Sequence, residues 1–208
     1  DVLVRLGRVA GSDVARVAIA SALLRITLHN EWAAEVERED VREVLVGLGL
    51  SAGSDGVRAR VANAIGNIAG SDEGKRLMAS VGVKEALVRM GRAAGSDAVR
   101  VEVCDAIFNI TSVSGEESGG LFAGEDVVAV LVHMGQRVGS DRARVSVCDA
   151  MRGVASTTKP ARQRLLARVD VRDVLVAMGR AAGGDDAREA VCRAMWRIAA
   201  PMEVRRVM

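Results

Sequence analysis

The chain has 208 residues, half of them hydrophobic and 27% charged, the composition of an ordered protein with a sizeable core rather than of a disordered tail. A formal net charge of +2 is too small to announce nucleic acid or an acidic membrane as the partner. Trp32, Phe108, Phe122 and Trp196 are too few for a base-stacking platform, and no apolar run approaches the ~18 residues of a membrane span.

In chain order, a short apolar segment ending in glycine recurs five times: DVLVRLG (1–7), VREVLVGLG (41–49), VKEALVRMG (83–91), VVAVLVHMG (127–135) and VRDVLVAMG (171–179). Each runs into a Gly-Ser-Asp or Gly-Gly-Asp punctuation whose aspartates, Asp13, Asp55, Asp97, Asp141 and Asp185, are spaced by 42, 42, 44 and 44 residues. Self-similarity at that period is the signature of a solenoid, in which each unit buries its apolar face against its neighbours. After each aspartate the pattern predicts a longer helix. In the third unit Val99, Val103, Ala106, Ile107 and Ile110 fall on one helical face, as do Val57, Val61, Ala64, Ile65 and Ile68 in the second. Ser96 is predicted to cap its helix, with Asp97 in the first turn. A third, weaker helical segment lies between units, as in DEGKRLMASVG (72–82) and KPARQRLLARVD (159–170), where Pro160 suits a first turn. No segment alternates long enough to suggest a sheet.

Three helices in about 42 residues resembles the armadillo repeat rather than the helix pairs of ankyrin or tetratricopeptide arrays. The run GVKEALVRMGRAAGSDAVRVEVCDAIFNIT (82–111) is similar to an armadillo second and third helix, and AIGNIA (64–69) fits the end of that third helix closely. The resemblance implies an all-α, right-handed α-solenoid of armadillo-type three-helix repeats over residues 1–208. The units read as 1–28 (partial), 29–70, 71–112, 113–156, 157–200 and 201–208 (partial). The chain opens at a second helix and closes on a first helix, PMEVRRVM, so it is expected to be a piece of a longer array or to stack head to tail.

In armadillo arrays the third helices line a concave groove that holds extended peptides. In importin-like members an Asn and a Trp one turn earlier repeat along it. The Asn position here is Arg25, Asn67, Asn109, Gly153 and Arg197, and the Trp position is Ser21, Asn63, Asp105, Asp149 and Arg193. With Asn in two units and Trp in none, the resemblance to nuclear-signal carriers is weak. A polar groove remains: Asn67 and Asn109 could address a peptide backbone, and Asp105 and Asp149 would favour a basic side chain between them. The resulting expectation is a non-catalytic interaction scaffold that takes a peptide or partner protein along the third-helix groove, without cofactor or metal. The alternatives are a structural subunit using its convex face or open ends, and nucleic-acid binding through Arg-rich edges.

Other residues carry less. His29 and His133 stand in different units without a metal-spaced cluster. Cys104, Cys148 and Cys192 share one repeat position, occupied by Ala20 and Ala62 earlier. Adjacent solenoid positions lie ~8–10 Å apart, beyond the ~7 Å Cα separation a disulfide tolerates, so the three are expected to be buried thiols in a reducing, intracellular compartment, cytoplasmic or nuclear. The recurrent Asp/Arg pairs, from Asp13/Arg16 to Asp185/Arg188, read either as an Arg ladder gripping an acidic partner or as ion pairs within the first turns. The linker SVSGEESGG (112–120) reads as a tolerated insertion or a functional loop, with Ser112, Ser114 and Ser118 open to phosphorylation. The recurrent glycine at 7, 49, 91, 135 and 179 costs helix stability, which implies that a neighbouring helix backbone comes close there.

Overall fold

A computed structural model describes residues 2–27, 36–112, 120–157, 163–165 and 167–199. His29, Pro160, most of the 112–120 linker and the PMEVRRVM segment lie outside them. Among the described residues the structure is helical, with no strand.

The short apolar segments form α1 (Val2–Val9), α3 (Glu39–Leu50), α6 (Val81–Arg92), α8 (Glu125–Gly135) and α10 (Val169–Ala181). The segments after each aspartate form α2 (Asp13–Thr27), α4 (Asp55–Ile68), α7 (Asp97–Thr111), α9 (Asp141–Thr157) and α11 (Asp185–Ala199). Each set packs in sequence order, α1 on α3 on α6 on α8 on α10, and α2 on α4 on α7 on α9 on α11. The result is a two-layered α-solenoid in which every unit touches its sequence neighbours.

The core lies between the layers and between units. Val99, Val103, Ala106, Ile107 and Ile110 of α7 are all fully buried, as the period predicts, and so are Leu87, Leu131 and Met134 from the other layer. Full burial of one such Leu, Ile or Met stabilises the fold by about 1.5–3 kcal/mol, so the apolar stripe outweighs the weak helix propensity of its valines. The between-unit segment appears in full once, as α5 (Asp72–Met78). The Ser71 hydroxyl accepts the Gly74 N–H at 2.8 Å to cap it, and Met78 is its buried anchor. Val36 and Phe122 stand at the equivalent positions, 42 residues before and 44 after Met78, and are buried too. The weaker first segment of the fourth unit is thus held by one aromatic side chain.

The recurrent glycine has a different cause from the one expected. No neighbouring backbone approaches Gly91. A Cβ there would stand 2.8 Å from Cγ2 of Val130 and 3.2 Å from Sδ of Met134, both on α8 of the next unit. Gly135 meets Val174 at 2.8 Å in the same way, and Gly7 meets Val44. The absent side chain is a notch that receives an apolar side chain of the following unit.

Candidate functional site

The punctuation motif is a joint between units. Asp97 opens α7, yet its carboxylate accepts N–H bonds from Gly139 (3.2 and 3.0 Å) and Ser140 (2.6 Å) in the loop one unit later. Asp13 takes Gly53 at 3.3 Å, Asp55 takes Gly95 at 3.2 Å, and Asp141 takes Gly183 at 3.1 Å and Gly184 at 2.7 Å. Ser96 stands at the N-cap with extended backbone, but its side chain makes no cap bond to α7 and instead bonds Asp55 of the preceding unit. Burial pushes the Asp55 and Asp97 carboxyls up, but the serine hydroxyls, backbone N–H groups and arginines around them prevail and hold both below the usual carboxylate range.

The arginines three residues on complete that joint. Arg100 donates to Asp97 at 2.8 Å and to the Ala94 carbonyl at 3.0 Å, and is buried. Arg16, Arg58 and Arg144 pair with their own aspartates at 2.7–3.0 Å with side chains at most 19% exposed. The Arg-ladder expectation is therefore corrected. Four of the five guanidiniums are turned inward and already occupied, and only Arg188 is largely exposed. The cysteine expectation is corrected at one position. Cys104 and Cys148 are buried free thiols, and burial pushes Cys148 up to about 12, whereas Cys192 is exposed because no described unit covers α11. His133 is half-buried, with Nδ1 2.9 Å from the Arg137 guanidinium; burial and that cation lower its pKa.

The groove positions lie along the third-helix layer. At one end, the Ser21 hydroxyl is tied to the Val17 carbonyl at 2.6 Å and Arg25 is exposed in the last turn of α2. In α4, Asn67 Nδ2 donates to Thr27 Oγ1 (3.3 Å) and to Asn63 Oδ1 (3.1 Å). Asn109 of α7 donates to the Gly66 carbonyl at 3.0 Å. Both family-position asparagines thus use amide N–H groups to tie one third helix to the one before it. At the other end, Arg193 pairs with Glu189 at 2.5 Å and Arg197 donates to Ser156 at 2.9 Å.

The middle of the face is acidic. Asp105 is half-buried on α7 and hydrogen-bonds Ser146 of α9. Glu102, one turn earlier, accepts an N–H from Asn63 at 2.7 Å. Neither carboxylate has an ion-pair partner among the described residues. Burial raises the pKa of both, and a neighbouring carboxylate raises each further: Asp105 acts on Glu102, and Asp149 on Asp105. Arg142 opposes this only as a nearby charge. Asp149 is paired with Arg152 at 2.9 Å, and that guanidinium lies 5.1 Å over the Phe108 ring. The family positions led to Asp105 and Asp149 but passed over Glu102. Its i−3 spacing from Asp105 on a helix was the available signal.

No family model matches the chain, and no curated protein sequence matches it. Solved structures do. An engineered protein is 20% identical with a TM-score of 0.77, covering 96% of this chain and 80% of its own. A set of computationally designed armadillo repeat proteins for modular peptide recognition is 20% identical at 0.73, covering 94% and 80%. A designed armadillo repeat protein in complex with the peptide (KR)4 is 21% identical at 0.72, with the same coverage. The fold is that of an armadillo-like α-solenoid.

Proposed function

We propose that the chain is a non-catalytic binding scaffold that captures a peptide segment along its third-helix face, with a basic side chain of that segment seated at Glu102, Asp105 and Asp149. The observation that carries this reading is the pair Glu102 and Asp105. Two half-buried carboxylates lacking a cationic partner are held on one helix turn at a cost to the fold. A Lys or Arg from a partner relieves burial and mutual repulsion together. Asn63 and Ser146 orient the two carboxylates from the flanking helices, while Arg152 and Phe108 wall one side with a flat surface suited to an aliphatic stem. The designed neighbour that binds (KR)4 supports the same choice of ligand class. Free thiols at Cys104, Cys148 and Cys192 fit an intracellular, reducing compartment.

Fluorescence anisotropy with labelled (KR)4 as probe tests the reading. The wild type is expected to bind it, and Asp105→Ala/Asp149→Ala to weaken binding about tenfold or more. Equal affinity for wild type and double variant rejects the groove.

A further inference from the structure

The internal joints repeat two contacts, and each end of the described array carries one half of both. In the first contact, the aspartate that opens a third helix accepts N–H groups from the next unit's Gly-Ser or Gly-Gly loop, four times from Asp13 to Asp141. In the second, the glycine of a second helix takes an apolar side chain from the next unit: Val44 at Gly7, Ala86 and Met90 at Gly49, Val130 and Met134 at Gly91, Val174 and Met178 at Gly135.

At the C-terminal face both acceptors are open. The side chain of Asp185 is 98% exposed, and among the described residues it bonds only its own Arg188. A Cβ on Gly179 would meet only Val191 of its own unit, at 3.4 Å. At the N-terminal face both donors are open. Gly11, the counterpart of Gly53 and Gly95, has nothing within 4 Å of where a Cβ would stand. Val2 and Leu6, counterparts of Val44 and Leu48, are 70% and 48% exposed.

We propose that the C-terminal face docks the N-terminal face of a second copy of this chain, with Asp185 accepting the Gly11 N–H and with Val2 and Leu6 seated on Gly179. The second copy is the fitting occupant because one chain carries both halves, a carboxylate on one face and free amide donors on the other, and four internal joints show that the halves match. The contact is heterologous: each docked copy leaves one face of each kind open, so association proceeds past the dimer. It does not involve the acidic groove, and its failure leaves the peptide reading standing.

Sedimentation velocity of the 208-residue chain over a wide concentration range tests it. The wild type is expected to show a weight-average mass that climbs past the dimer with concentration. Asp185→Lys and Leu6→Glu, both at exposed positions, each weaken association about tenfold or more while leaving the helical circular dichroism unchanged. Mixed in equal amounts, the two variants form a dimer and nothing larger, because each retains one intact face. A wild type that stays monomeric throughout overturns the proposal. So do oligomers that either variant leaves intact.

Discussion

The carboxylate of Asp97 grips the backbone of Gly139, 42 residues away, while the same carboxylate holds Arg100 of its own helix at 2.8 Å. One side chain therefore starts a helix, anchors a buried guanidinium and latches the next unit. Asp97→Ala leaves the Arg100 charge buried and two loop N–H groups unpaired. It should cost about 3 kcal/mol in urea denaturation. Asp185→Ala removes the same residue type where no described unit follows, and should leave the unfolding midpoint unchanged.

The joint sets an acid limit. Asp13, Asp55, Asp97 and Asp141 all titrate below the usual carboxylate range in the folded chain. Their stabilisation is fully present above the unfolded value near ~3.9 and is lost as pH falls through the lower folded values. Thermal melts should therefore show a fall in Tm below about pH 4 that comes from these joints. In Asp97→Asn, which cannot ionise, that fall should be shallower from a lower starting Tm.

Asp105 has the opposite sign. Its folded pKa is raised by burial and by Asp149 against the opposing Ser146 bond and Arg142 charge, so the ionised form burdens the fold at neutral pH. The burden is relieved as pH falls through the raised value. Asp105→Asn should melt higher than wild type at pH 7, and the difference should disappear near pH ~4. An Asn variant that melts lower at pH 7 would mean that the Ser146 bond, not the burial, governs this position.

The notch glycines predict a contrast within helices. At Gly47 of α3 a Cβ would meet nothing within 4 Å, so Gly47→Ala should stabilise by about 0.5–1 kcal/mol through helix propensity. At Gly91 the same methyl meets Val130 at 2.8 Å, and Gly91→Ala should destabilise by about 1–3 kcal/mol, with Gly91→Leu worse. Differential scanning calorimetry of the two alanine variants decides it. Equal shifts would remove the notch from the account.

The repeat was legible in the sequence because apolar period and punctuation recur together, and the buried face of α7 follows from its valines and isoleucines alone. The joint was not legible. Asp97 and Gly95 sit in one motif, so a bond from Asp97 to its own loop and a bond to the next unit's Gly139 look alike in a sequence that repeats both. Cys192 failed for a related reason: it matches Cys104 in register, but burial there depends on what lies against the helix. In the groove, the Asn positions were legible and their use was not, because whether an amide addresses a ligand or the preceding helix depends on how closely the helices pack.

The most direct measurement of the central claim is calorimetric titration of (KR)4 into the protein near pH 5, repeated in two buffers of different ionisation enthalpy. If a basic side chain seats at Glu102 and Asp105, it favours their ionised forms, so binding should release protons and affinity should rise from pH 5 to pH 7. Asp105→Ala/Asp149→Ala should lose most of both the affinity and the proton release. Binding without proton release, and equally tight in the double variant, would contradict the account.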